Sequence, residues 1–309
     1  MVGISRAALR PCRPGQLGPF GLLGLLSLLL GCYGSTTPPA PGSSGSSPES
    51  PSAAVSPAPR SSPATAAPQE LAVAAASDLR FVLDDLLVEF HQQHPEIRVQ
   101  TTFGASGSLF AQIENGAPFD LFLSADIQYP QQLATRGQAI EVGDGGQAES
   151  AVFPYAVGHL VIWVPQDSPV DVERGGVQAL LDPRIRQISL ANPRVAPYGR
   201  AAEAALRKLG VYEAVQSKLV VGENVSQAAQ YVDSGGADAG LLSRSLVHSP
   251  ALRDKGRYWL VPEDAHPPLL QGGVILRRCR TPAAARQLQA FLTSDAARSL
   301  FARYGFDSP

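Results

Sequence analysis

Charge of either sign, sulfur and long apolar runs are all scarce in this 309-residue chain. Its 25 Lys+Arg against 27 Asp+Glu give a formal net charge of −2, with no basic excess to hold a polyanion. Nucleic acid is thereby excluded as the main partner. Three cysteines, Cys12, Cys32 and Cys279, are too few for a disulfide scaffold. Hydrophobic content of 44% is that of a globular chain, while 29 Gly, 27 Pro and a single Met point to an uneven composition. No apolar run approaches the roughly 20 residues that span a bilayer as helix. The absence of G-x-x-x-x-G-K-[ST] excludes the phosphate-cradling loop of an ATPase. No internal repeat of solenoid length is present.

What the chain does have is unevenly placed. Residues 33–70 hold 9 of the 27 prolines and 10 serines, with charge only at Glu49, Arg60 and Glu70. Such a stretch cannot bury enough apolar surface to offset its ordering entropy. It reads as a disordered linker with an end-to-end distance of roughly 35 Å. Ahead of it, Arg6, Arg10 and Arg13 precede the apolar run Phe20–Leu30, the pattern of a secretory signal peptide over residues 1–31. The segment ends in Leu29-Leu30-Gly31-Cys32, which resembles the bacterial lipobox. That resemblance implies cleavage before Cys32, diacylglycerol on its sulfur and an extracytoplasmic, membrane-anchored protein. Loss of the signal leaves 22 basic against 27 acidic side chains. Cys279 is then alone in the folded part and is expected to be a plain thiol.

From Leu71 onward, apolar strands alternate with amphipathic helices. LAVAAAS (71–77) is strand-like. Leu79, Val82, Leu83, Leu86, Leu87 and Phe90 then follow helical spacing up to Pro95. Strands are expected at 97–103, 120–125, 158–165, 188–192, 218–222, 239–242 and 269–278. Helices are expected up to Glu114, at 177–182, after Pro197, at 226–233, 282–293 and 294–303. The alternation predicts an α/β fold with mainly parallel sheets.

Four strand-to-helix junctions share small or turn residues: Ala76-Ser77-Asp78, Ala105-Ser106-Gly107-Ser108, Ala196-Pro197-Tyr198-Gly199 and Glu223-Asn224-Val225-Ser226. Helix N-termini leave N–H donors unpaired and carry about half a positive charge each. Four meeting at one point would offset roughly two negative charges without Lys or Arg. Ser77 and Ser106 add hydroxyls, a donor set suited to a small tetrahedral oxyanion. Any one such serine is by itself an N-cap worth ~1 kcal/mol.

LAVAAASDL, FGASGSLFAQIENGAPFDLFLSAD, NPRVAPYGRAAEAALRKLG and the closing FARYGF resemble the molybdate-binding proteins of ABC importers, in order, from about Leu71 to Phe306. The resemblance implies a two-lobed periplasmic-binding-protein fold of type II-like form, with lobe I at 71–152 plus 255–309 and lobe II at 153–254. AVFPYAVG (151–158) and the stretch around 244–256 would be the two crossover hinges. It further implies no catalysis and no cofactor. The ligand is molybdate, or tungstate, passed to a membrane permease by a monomeric receptor. Molybdenum is held only through its oxo oxygens, with no direct metal ligand from the protein. The implied contacts are the hydroxyl and N–H of Ser77 and of Ser106, and the backbone N–H groups of Tyr198 and Val225. The fifth, often a tyrosine hydroxyl, falls on Ser243, whose reach is shorter; Arg244 beside it is an alternative source of charge. Neutral donors of this kind would refuse sulfate by size and protonated phosphate for want of an acceptor.

Two other classes compete. A serine hydrolase would pair Ser106 with His159 or His266, although the G-x-S-x-G elbow lacks its last glycine. An extracytoplasmic oxyanion sensor or scaffold would use the same two lobes without transport. His91-x-x-His94 lacks the further ligands of a metal site.

Overall fold

The computed structural model describes residues 68–140 and 151–309. The signal peptide, Cys32 and nearly all of the expected linker lie outside the described residues.

The first sheet opens with β1 (Gln69–Ala76), which leads through a 3-10 turn at Ser77–Leu79 into α1 (Arg80–Gln93). Val82, Leu83, Leu86, Leu87 and Phe90 form the buried stripe of α1, as their spacing requires. There follow β2 (Ile97–Gly104), α2 (Ser106–Glu114), β3 (Leu121–Ser124), α3 (Gln128–Thr135) and β4 (Val152–Gly158). The second sheet takes β5 (Leu160–Pro165), α4 (Val172–Gly175), β6 (Ile188–Ala191), α5 (Pro197–Lys208) and α6 (Tyr212–Val215). It continues with β7 (Leu219–Gly222), α7 (Val225–Asp233), β8 (Ala239–Ser243), α8 (Arg244–Val247) and β9 (Gly256–Leu260). Then β10 (Leu269–Ile275), α9 (Pro282–Leu292) and α10 (Asp295–Arg303) return to the first.

Strand order is β2-β1-β3-β10-β4 in one sheet and β7-β6-β8-β5-β9 in the other. Each sheet is mixed rather than mainly parallel. β1 pairs parallel with β2 and β3, and β6 with β7 and β8, because helices link those strands. β10 and β5 run antiparallel to both their neighbours, since the chain enters each of them from the other sheet or from an adjacent turn.

That topology moves the expected lobe limits. Residues 153–158, expected in the second lobe, lie in β4 and pair with β10 of the first sheet. Residues 256–260, expected in the first, lie in β9 and pair with β5 of the second. The chain therefore passes between sheets at Gly158–Leu160 and again across 261–268. Backbone pairing decides this, and both segments carry too many aromatic and apolar residues to serve as exposed connections. The expected helix at 177–182 is a 3-10 turn, Gly176–Leu181.

Candidate functional site

The carboxyl ends of β1, β2 and β6 and the loop after β7 each deliver the chain into a helix start. These four starts line one cavity, walled by Ala76, Ser77, Asp78, Ala105, Ser106, Ala125, Ala196, Pro197, Tyr198 and Val225, with Gly104. About 10 Å³ is open to the centre of a water-sized body, which is room for one. The sequence brings four N-termini to four separate points along the chain; the fold brings them to one.

Each start leaves donors free. The Ser106 hydroxyl accepts from the Ala125 N–H at 3.0 Å, so its own hydrogen is available to a ligand. Among the described residues the Ser77 hydroxyl has no hydrogen-bond partner, while the Ser77 carbonyl accepts from Ser226 Oγ at 2.8 Å. In α5 the Arg200 N–H closes the first turn onto the Ala196 carbonyl, leaving the Tyr198 N–H ahead of it. Pro197 at the first position sacrifices no donor that the helix could have used. In α7 the Asn224 side chain caps the Gln227 N–H at 3.1 Å, and the Val225 N–H stays unpaired by the helix. No Lys, Arg or His lines the cavity. Positive potential there comes from helix ends alone.

The cavity is shut by contacts that run from elements of one sheet to elements of the other. The Gly107 N–H donates to the Val195 carbonyl at 2.8 Å. A Cβ on Gly107 would come within 2.7 Å of that same oxygen, so only glycine permits the approach. Ser245 Oγ donates to the Asp78 carbonyl at 2.8 Å. Arg200 reaches Asp126 at 2.5 Å and the Tyr129 hydroxyl at 3.0 Å.

Three polar side chains under the cavity escaped the sequence reading. Asp78 is 2% exposed. Its Oδ2 accepts from Gln271 Nε2 at 2.6 Å, and its Oδ1 is buried without a partner. Burial pushes this carboxyl up to about 6. The Tyr155 hydroxyl stands 3.0 Å from both the Ser124 carbonyl and Gln271 Oε1. Tyr198, expected to matter through its backbone only, sends its ring inward until the hydroxyl accepts from Gln271 Nε2 at 3.4 Å and abuts Gly158. Burial drives both phenols well above their usual range. Asp78 also places a carboxyl group in a lining for which only neutral donors were expected. Its only signal in the sequence was a carboxylate directly after the strand-end serine.

Ser243 does not line the cavity. It is fully buried as the N-cap of α8, its Oγ 3.0 Å from Ser245 Oγ and accepting from the Leu246 N–H at 3.4 Å. Arg244 also stays away from the cavity and lies against Gly305. The hydrolase pairing is not formed either. His159 faces Asp307 at 3.0 Å and Glu263 at 3.6 Å, and His266 meets the Pro267 carbonyl. His159, Glu263 and Asp307 are the one grouping of three possible metal ligands among the described residues, and none of them lines the cavity. His94 faces Glu96 rather than joining His91 around an ion. Cys279 is a free, half-buried thiol that burial pushes up, as a plain thiol would be.

Comparison with known proteins follows the same outline. The profile of the bacterial extracellular solute-binding protein family matches residues 71–307. The molybdate-binding protein ModA of Azotobacter vinelandii is 36% identical over 237 residues, 77% of this chain and 89% of that protein. ModA of Rhodobacter capsulatus is 36% identical over 208 residues, 67% of this chain and 77% of that protein. The solved structure of the A. vinelandii periplasmic molybdate-binding protein superposes with a TM-score of 0.70 at 30% identity, covering 77% of this chain and 99% of the other.

Proposed function

The chain belongs to the family of bacterial extracellular solute-binding proteins, and from that premise we propose that it captures molybdate outside the cytoplasm for an ABC importer. The observation that carries this is the convergence of four helix starts on one closed cavity with no cation in its lining. Ser77 and Ser106 supply hydroxyl and N–H donors, Tyr198 and Val225 supply backbone N–H groups, and the anion is bound without a cofactor. Molybdenum is met only through its oxo oxygens. Tungstate, of the same shape and charge, is accepted on the same grounds.

Neutral donors at fixed distance select by size, because a smaller anion leaves buried N–H groups unpaired. Entry requires the lobes to part, and the bonds between them re-form on closure. The closed form is the one a permease would read, stabilised by the ligand's preference for it. Cys32 would hold the receptor to the membrane by its lipid, with residues 33–70 as tether. A single receptor copy suffices, since one chain supplies every wall of the cavity.

Calorimetric titration with molybdate, tungstate, sulfate and phosphate tests the reading. Near one-to-one heats from the first two and none from sulfate are expected. Sulfate binding with no molybdate response would overturn it.

A further inference from the structure

Asp78 is the one charged residue in the lining of the cavity; its Oδ2 is held by Gln271 Nε2, and its Oδ1 is buried with no hydrogen-bond partner among the described residues. The groups packed around it are Gln271 of β10, Tyr155 of β4, Tyr198 of α5 and Ser245 of α8. Of these only the two tyrosines titrate, and burial keeps both neutral. No cation figures among the influences on Asp78. A carboxylate and a doubly charged anion in one water-poor pocket repel each other strongly, so one of the two has to carry a proton.

Two arrangements satisfy that condition. In one, a neutral Asp78 faces a fully deprotonated oxyanion and donates to it. In the other, an ionised Asp78 accepts from a protonated oxyanion such as hydrogen phosphate. Resting on the molybdate reading above, we propose that Asp78 takes up one proton from solvent when the anion is captured, so that its neutral carboxyl becomes a third side-chain donor beside Ser77 and Ser106. One O–H bond forms on Oδ1 and nothing leaves.

Burial alone already pushes this carboxyl up to about 6, and a dianion alongside acts in the same direction. The sign follows. Capture is strongest where Asp78 is protonated in the complex, and affinity falls as pH rises through that point, by up to about tenfold per pH unit.

The test is calorimetric titration of the full chain with sodium molybdate in two buffers of different ionisation enthalpy, repeated between about pH 6.5 and 8.5, where a one-proton linkage has its slope. Binding heats that differ between buffers by a fraction of a proton or more, and an affinity that declines severalfold per pH unit, are expected. Asp78→Asn, neutral at every pH, should abolish both effects and bind molybdate more tightly than the wild type at the alkaline end. Equal heats in both buffers with an affinity flat in pH overturn the proposal while leaving molybdate capture intact. Phosphate binding that Asp78→Asn abolishes overturns it in favour of the ionised acceptor. Silence with molybdate at every pH defeats the capture reading itself, and the proposal with it. Should the variant fail to fold, the wild-type proton count still decides.

Discussion

Arg200 on α5 and Asp126 after β3 face each other from elements of the two sheets with 2.5 Å between Nη2 and Oδ2. The two residues belong to different sheets, so the pair exists only while the lobes are together. Both are partly exposed, at 38% and 21%, which caps its worth at about 1 kcal/mol or less. Arg200→Ala should therefore raise the molybdate Kd by a few-fold at low salt and by less at high salt. The same Kd ratio at both ionic strengths would show that the pair does not stabilise closure.

The two serines bear more. Each is buried in the cavity wall, and on the proposed reading each would give the anion a hydrogen bond to a charged group, worth about 1.5–3 kcal/mol. Ser77→Ala and Ser106→Ala should each weaken molybdate binding by roughly ten- to a hundredfold on that scale. Ser106→Ala should also lower thermal stability, because the Ala125 N–H loses its acceptor. Unchanged affinity in both variants would remove the site assignment.

Much of this fold was legible because strand and helix periods are local. The stripe Val82–Phe90, the strand Ile97–Gly104 and the helix opening at Pro197 needed only their own spacing. The strands β4 and β9 were missed or misplaced for a different reason. Val152–Gly158 carries Pro154, and Gly256–Leu260 is only partly buried, so neither shows the pattern of a strand within the sheet. The four junctions of the candidate site were visible for the same local reason, but their meeting was not, since it depends on sheet order. Ser243 caps α8, and a serine that caps a helix and one that binds a ligand look the same in sequence. Asp78 and the Tyr198 ring became visible only once burial and the opposite lobe were in view.

Ser243 then provides a negative control. Its hydroxyl caps α8 and supports Ser245, which itself bonds to the Asp78 carbonyl. Ser243→Ala should cost about 1 kcal/mol of stability as a lost cap. Chemical denaturation would show that loss, and a molybdate titration would show a Kd changed far less than in Ser77→Ala. A loss of affinity as large as that of the two cavity serines would return Ser243 to the site.

Cys32 can be tested without any structure. A lipid-anchored chain should fractionate with membranes, and Cys32→Ser should release it to the soluble fraction while molybdate binding is kept. Membrane association that survives the substitution would rule out the lipobox.

Gly158, at the passage between the sheets, lies against the Tyr198 hydroxyl. A Cβ at Gly158 would run into that hydroxyl and lie 2.9 Å from Gln271 Nε2. Gly158→Ala should thus oppose closure more than it opposes folding of either sheet. The expected penalty is that of overpacking, about 1–3 kcal/mol, appearing mainly as weaker molybdate binding. Tyr198→Phe removes the obstructing oxygen and loses a long, 3.4 Å bond from Gln271 together with the hydroxyl's interaction with Asp78. In the double variant the affinity should recover beyond the sum of the two single changes, since the residues are in contact and couple. Strict additivity in the double-mutant cycle would mean that the Tyr198 hydroxyl and the hinge glycine do not meet in the closed form.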